Sequence, residues 1–111
     1  DVYKRQLFTE FKGAFTEQYV CQQLVAQRLS PYYWSSPTGR AEVDFVVDHP
    51  DTVLPIEVKA QENLQAKSLR VAVGHFDLHK AVRTSLAGYR DNDWLLNVPL
   101  WAINRLAALP L

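Results

Sequence analysis

Two apolar strand patterns, each carrying an acidic residue, constrain the fold of this 111-residue chain most strongly. Residues 41–48 read Ala-Glu-Val-Asp-Phe-Val-Val-Asp, and residues 53–60 read Val-Leu-Pro-Ile-Glu-Val-Lys-Ala. Alternation of this kind is typical of β-strands. Residues 49–52 (His-Pro-Asp-Thr) favour a turn, so we expect the two strands to be adjacent and antiparallel.

The remaining segments extend this pair into an α/β domain. Apolar residues spaced three to five apart predict a first helix over residues 13–29. In chain order, the further predictions are a strand at residues 32–34, a turn at 35–40, a helix at 63–79, a strand at 81–86 and a last strand around 98–103. The predicted order is therefore helix, three strands, helix, strand.

Asp44 and Glu57 lie where apolar strand patterns would bury them. A buried ionised carboxylate is costly unless a cation or hydrogen-bond donors compensate it. On adjacent strands, the two could share a Mg²⁺ or Mn²⁺ ion. Lys59 points the same way as Glu57 and could orient or activate a water. Glu17 on the first helix could complete the metal-binding acidic cluster through a metal-bound water.

Each of these residues also has a plain structural interpretation. Asp44 could be a hydrogen-bonded strand acid, and Glu57 with Lys59 could form a solvated strand face. Glu17 could simply stabilise the positive end of the first helix. The residue pattern alone leaves both interpretations open.

Composition limits the function further. Twelve basic and twelve acidic residues cancel, which argues against strong autonomous binding of DNA, although a local basic patch is compatible with a neutral total. A single cysteine, Cys21, excludes an internal disulfide. No apolar run approaches the ~18 residues of a membrane span, so we expect a soluble, cytoplasmic protein with no membrane partner.

The first six residues, Asp-Val-Tyr-Lys-Arg-Gln, show no link to the pattern that follows. We therefore expect residues 1–6 to be a non-native leader and residues 7–111 to be one domain, a fragment of a longer protein.

Four segments together resemble a known family: residues 13–17 (Gly-Ala-Phe-Thr-Glu), 32–34 (Tyr-Tyr-Trp), 42–45 (Glu-Val-Asp-Phe) and 55–60 (Pro-Ile-Glu-Val-Lys-Ala). Shorter matches follow at residues 67–69, 83–86 and 97–100. In this order they resemble the C-terminal domain of unknown function of a family of prokaryotic AAA+ ATPases. That domain is similar to PD-(D/E)xK nucleases and archaeal Holliday-junction resolvases, and the resemblance covers residues 7–106.

The resemblance implies a restriction-endonuclease-like αβββαβ core, with a mixed central sheet flanked by helices. It implies Glu17 as the helix acid, Asp44 and Glu57 as metal ligands, and Lys59 as the catalytic lysine. Val43 stands where the motif's proline would be. It also implies an upstream ATPase module in the same protein, through which alone ATP would be bound.

Three functions therefore remain in competition. The first is Mg²⁺- or Mn²⁺-dependent hydrolysis of DNA or another nucleic acid. The second is a non-catalytic domain that binds nucleic acid or a partner, or regulates the ATPase, and retains a degenerate site. The third is an assembly domain that helps the ATPase to oligomerise. A fold can host all three, so the site has to decide between them.

Overall fold

The computed structural model describes residues 2–59 and 66–111, and for residues 3–11 it describes the backbone alone. Along these residues it contains α1 (Val2–Ala26), β1 (Tyr32–Ser35), β2 (Glu42–Asp48), β3 (Val53–Lys59), α2 (Lys67–His75), β4 (Ala81–Ser85), β5 (Arg90–Asn92), β6 (Leu95–Pro99) and a 3₁₀ helix (Leu100–Ala108). None of the helices in the described part of the chain is both long enough and apolar enough to cross a membrane.

The strands form one six-stranded mixed sheet in the order β1-β2-β3-β4-β6-β5. β1, β2 and β3 are antiparallel neighbours. β4 runs parallel to β3 and β6, and β5 returns antiparallel along β6. α2 lies between β3 and β4 in the chain, as a crossover between parallel strands requires. The fold is therefore mixed α/β with helices flanking a central sheet, as predicted.

Helices cover both faces of the sheet. α1 and the 3₁₀ helix pack on one face, here called the α1 face, around a buried cluster of Val20, Leu24, Leu29, Val47, Leu54, Ile56, Val82, Val98, Ala102, Ile103 and Leu106. α2 packs on the other, the α2 face, around the smaller cluster of Val43, Leu69, Ala72, Ala81 and Leu95. Burial of these apolar side chains is the main favourable contribution to folding.

The predicted helix and strand order is confirmed, with differences at the element ends. α1 begins at Val2 rather than at residue 13, because Gly13 weakens a helix by only about 1 kcal/mol and does not end it. Residues 2–6, the predicted leader, are thus helical, and residue 1 lies outside the described part. Residue 60 of the predicted third strand and residues 63–65 of the predicted second helix also lie outside it.

The predicted last strand around residues 98–103 is wrong from residue 100 onward. β6 ends at Pro99, and the chain continues as a 3₁₀ helix. Leu100, Ile103 and Leu106 all pack into the α1-face core. Their spacing of three matches the three residues per turn of a 3₁₀ helix, so this winding buries one apolar row. The short edge strand β5 has no apolar pattern and was not predicted.

A β-bulge interrupts β2. Its register with β1 shifts by one residue between Tyr32 and Trp34, so β2 carries one extra residue there. Strict alternation predicted Val43, Phe45 and Val47 on one face. Instead, Val43 packs in the α2-face cluster, whereas Phe45 and Val47 pack on the α1 face.

Gln27 fastens the 3₁₀ helix to the end of α1. Its Nε2 donates hydrogen bonds to the carbonyl oxygens of Ile103 (2.8 Å) and Gln23 (2.9 Å). Its Oε1 accepts a hydrogen bond from the N–H of Ala107 at 2.8 Å. One amide side chain therefore satisfies backbone groups of both helices.

Gln27→Ala should lower the free energy of unfolding by about 1–3 kcal/mol, because backbone groups of the 3₁₀ helix lose their partners in a partly buried interface. Urea denaturation would measure this loss. Gln22→Ala, which truncates an exposed glutamine of α1, is the matched control. Equal stability of the two variants would contradict the assigned role.

Candidate active site

A row of polar side chains crosses β3, β4 and β6 on the α2 face. The strand register pairs Glu57 with Arg83, and Arg83 with Asn97. Lys59, two residues after Glu57 on β3, lies opposite Ser85 on β4. The apolar residues next to Glu57, Arg83 and Asn97 in their strands pack in or against the α1-face core, so alternation directs these polar side chains to the opposite face.

Glu57 is the acidic residue of this row, and its carboxylate is largely buried. Its Oε1 forms an ion pair with Lys59 Nζ at 3.3 Å, and only 13% of the Glu57 side chain is exposed. Its Oε2 is buried and has no hydrogen-bond partner among the described residues. Burial raises the pKa of Glu57, while the charge of the Lys59 ammonium opposes this increase. The carboxylate is therefore only partly compensated.

Asp44 lies in the bulged part of β2, between Val43 and Val46. Its Oδ2 accepts a hydrogen bond from the backbone N–H of Val58 at 2.8 Å. The regular pairing of β2 with β3 begins at Phe45 and Ile56. The Asp44 side chain therefore binds a backbone N–H of β3 that lies just outside this pairing. Bulges often redirect a side chain beside an active site, and this one ties Asp44 to the strand that carries Glu57 and Lys59.

Glu17 approaches Asp44 from α1. A hydrogen bond with the Asp44 side chain, together with partial burial and the negative charge of Asp44, raises the pKa of Glu17 from 4.5 to about 7. Because the neighbouring negative charge of Asp44 disfavours ionisation of Glu17, Glu17 retains its proton up to a pH of about 7. The helix acid predicted from sequence is therefore beside the predicted metal ligand.

The four predicted residues form two contacting pairs, Glu17 with Asp44 and Glu57 with Lys59. The negative charge of Asp44 raises the pKa of Glu57, so the pairs interact electrostatically. Within residues 2–59 and 66–111, however, no group of three or more His, Cys, Asp or Glu side chains is placed to hold a metal ion. Glu17, Asp44 and Glu57 thus do not form a three-carboxylate cluster in this conformation.

The predicted set did not include the buried polar residues that neighbour Glu57 on β4 and β6. Asn97 Oδ1 accepts hydrogen bonds from Ser85 Oγ (2.8 Å) and Arg83 Nε (3.1 Å). Asn97 Nδ2 donates to the carbonyl oxygens of Ala87 (3.1 Å) and Gly88 (2.9 Å). The sequence does contain an indication of them, because Arg83 and Asn97 interrupt the otherwise apolar starts of β4 and β6.

Chemically, this arrangement brings the carboxylates of Asp44 and Glu57 on neighbouring strands into electrostatic contact, with the Lys59 ammonium and the Arg83 guanidinium close to Glu57. It can also hold a proton near neutral pH on Glu17. The raised pKa values of Glu17 and Glu57 are typical of functional sites, although structural ion pairs shift pKa values too.

The Glu17–Asp44 pair predicts a pH dependence of stability. Because the pKa of Glu17 is about 7 in the folded state and 4.5 as its ordinary value, the folded state holds a proton that the unfolded state releases between these pH values. The contribution of Glu17 to stability is therefore complete below pH 4.5 and is lost as the pH rises through 7. Glu57, whose pKa burial raises, contributes in the same direction.

Asp44→Asn should make this decline shallower and return the pKa of Glu17 toward 4.5, since the amide removes the neighbouring charge while its oxygen still accepts from Val58. NMR titration of the Glu17 carboxyl carbon would measure the pKa, and urea denaturation between pH 4.5 and about 7 would measure the decline in stability. Glu42→Gln, which removes an exposed charge from the same strand, is the control. An unchanged Glu17 titration in Asp44→Asn would contradict the effect of Asp44 on the pKa of Glu17.

Comparison with known proteins gives a family for the chain. The family model of a domain of unknown function, DUF4143, matches residues 12–103. The matched segment contains all four predicted site residues and the polar row on β4 and β6. No curated protein and no solved structure matches significantly. The chain therefore belongs to the DUF4143 family.

Proposed function

We propose that this chain is a PD-(D/E)xK nuclease-like domain that hydrolyses phosphodiester bonds of nucleic acid with the help of Mg²⁺ or Mn²⁺. The observation that carries the proposal is the buried, unpartnered Oε2 of Glu57, next to Lys59 and within the electrostatic reach of Asp44. A buried carboxylate oxygen without a donor is rare in folded proteins and calls for a compensating group. A divalent cation is the compensation that carboxylates on adjacent strands suit best.

The residues fit such an ion as a site with few protein ligands. Glu57 Oε2 and the Asp44 carboxylate would hold it, with Glu17 beside Asp44. Mg²⁺ commonly takes one or two carboxylates and fills its other positions with waters and substrate phosphate, so a three-carboxylate cluster is not required. When bound, the ion would supply Lewis-acid stabilisation of charge on the phosphate.

The chain's own side chains would do the rest. Lys59, whose side chain is 32% exposed, keeps its ammonium at the mouth of the site, where it can orient a water or the phosphate. Glu17, with a pKa of about 7, can take up or release a proton at neutral pH. A cation at Asp44 would lower the pKa of Glu17, because it offsets the negative charge that raises it.

Two further parts of the proposal, the restriction-endonuclease-like core and the upstream ATPase module, rest on the sequence motifs. The order α1-β1-β2-β3-α2-β4 is that of the restriction-endonuclease-like core, which supports the proposed relationship. The association with an upstream AAA+ ATPase module, which would bind ATP, rests on the resemblance of residues 7–106 alone. Both belong to the proposal.

Metal binding tests the function directly. The wild-type chain should bind Mn²⁺ by calorimetry, and Glu57→Gln and Asp44→Asn should each weaken binding by about tenfold or more, a difference of about 1.4 kcal/mol. Lys59→Met should retain the ion, because it removes no ligand, but should abolish Mn²⁺-dependent cleavage of a labelled nucleic acid.

Glu42→Gln provides the matched control, since it removes an exposed acid from β2 without touching Glu57. If Mn²⁺ at millimolar concentration does not bind, or binds equally to Glu57→Gln, the proposed metal site is wrong. The addition of a nucleic acid to the same titration covers the case in which substrate phosphate completes the coordination.

A non-catalytic binding or regulatory domain is the second candidate. Here the favouring observation is that each acid already has a partner: Glu57 has Lys59, and Asp44 has the Glu17 side chain and the Val58 N–H. In that case the site is degenerate, and the predicted result is Mn²⁺ binding no stronger than in Glu57→Gln.

A further inference from the structure

A second concave site adjoins the candidate active site on the β5 side of the sheet. A cavity of about 340 Å³ is lined by Arg83, Ala87, Gly88, Tyr89, Arg90 and Asn97. Its size lies at the lower end of the range typical of ligand pockets. Arg83 belongs to both sites, because it pairs with Glu57 on one side and lines the cavity on the other.

The cavity has a cationic lining. Two of its six lining residues are arginines and none is acidic. The nearest acid along β5, Asp91, is held by Lys80 Nζ at 2.8 Å. Burial lowers the pKa of Arg83, the charge of Glu57 opposes this decrease, and the positive charge of Arg90 adds a smaller lowering effect. An anion between the two guanidinium groups would relieve this repulsion.

Asn97 fixes the position of the segment that lines this cavity through hydrogen bonds. It holds the carbonyl groups of Ala87 and Gly88, at 3.1 and 2.9 Å, while its Oδ1 accepts from Arg83. Ser85 Oγ in turn accepts a hydrogen bond from the N–H of Ala87 at 3.2 Å. The chain before Tyr89 and Arg90 is therefore fixed to buried side chains, which gives both residues a defined position.

An exposed aromatic pair stands at the edge of the cavity. Tyr89 and Trp101 meet edge to face with ring centroids 6.0 Å apart, and Trp101 is 74% exposed. Exposed aromatic faces beside cationic groups are the usual means of binding single-stranded nucleic acid, because unpaired bases stack on the rings while phosphates meet the cations. Bases stacked within a duplex are not available for this contact.

We propose that this cavity binds a phosphate of a single-stranded nucleic acid between Arg83 and Arg90, with a neighbouring base stacked on Tyr89 and Trp101. The inference rests on the proposed function only in that the strand would then continue past Glu57 toward the candidate metal site. Binding itself needs no metal ion. It also reconciles a neutral chain with a nucleic-acid ligand, because the cationic surface is local.

Fluorescence anisotropy with fluorescein-labelled oligothymidylate of about 20 nucleotides, in EDTA, tests this binding without metal-dependent cleavage. Arg90→Ala should weaken binding and reduce the slope of log K against log salt by about 1. Trp101→Ala should weaken binding about fivefold or more. Both side chains are exposed, so these substitutions should preserve the fold.

Arg40→Ala is the matched control, because it removes the same charge from the turn between β1 and β2. This turn lies near the edge of the sheet opposite β5, so the substitution should leave affinity unchanged. Equal losses in Arg40→Ala and Arg90→Ala would overturn the proposal. So would equal affinity for a duplex of the same length, or binding of inorganic phosphate without binding of the oligonucleotide.

The same variants separate this inference from the proposed function. Glu57→Gln should bind the oligonucleotide at least as tightly as the wild type, because it removes a negative charge next to Arg83. Strand binding that depends on Arg90 and Trp101, in a chain that binds no Mn²⁺, would support the cavity and refute the nuclease. Mn²⁺ binding that depends on Glu57, with no dependence of strand affinity on Arg90 or Trp101, would do the reverse.

Discussion

The hydrogen bond from the Val58 N–H to Asp44 Oδ2, at 2.8 Å, is the contact on which the candidate site depends. It forms where the bulge in β2 lets a carboxylate take a backbone donor of the neighbouring strand. Asp44 is thereby fixed to the segment that carries Glu57 and Lys59, and α1 brings Glu17 against it. A regular β2 would place Asp44 according to simple alternation and would not provide this link.

Incomplete compensation of negative charge is the second property of this region. Burial raises the pKa of Glu57, and the Glu17–Asp44 contact raises that of Glu17 to about 7. Carboxyl groups in such settings reduce stability when they ionise, and a fold has little reason to bring them together for packing alone. A cation would remove the cost in one step, which links the electrostatics of the site to the proposed function.

The polar row joins this acidic region to a cationic one. Across three strands, the side chains change from Glu57 to Arg83 to Asn97, and Arg90 follows on β5. The net charge of zero therefore conceals a separation of charge across one sheet. That separation suits a polyanionic ligand whose phosphates meet arginines at one point and a carboxylate-held cation at the next.

Sequence periodicity alone was sufficient to predict the order from α1 to β4 and the acids of β2 and β3, because alternation and helical spacing are local properties of the chain. It could not predict the bulge, since the extra residue in β2 is defined only by its pairing with β1. It also missed β5 and the 3₁₀ helix, which exist because β6 and the α1-face core supply their partners.

The sequence by itself thus singled out the residues predicted to form the site, namely Glu17, Asp44, Glu57 and Lys59, because the nuclease-like pattern of the resembling family assigns roles to these four positions. Tertiary structure alone decided that they form two pairs, and that Arg83 and Asn97 stand beside them. The physical reason is that strand register, a bulge and burial set distances and pKa values, and none of these is a property of neighbouring residues along the chain.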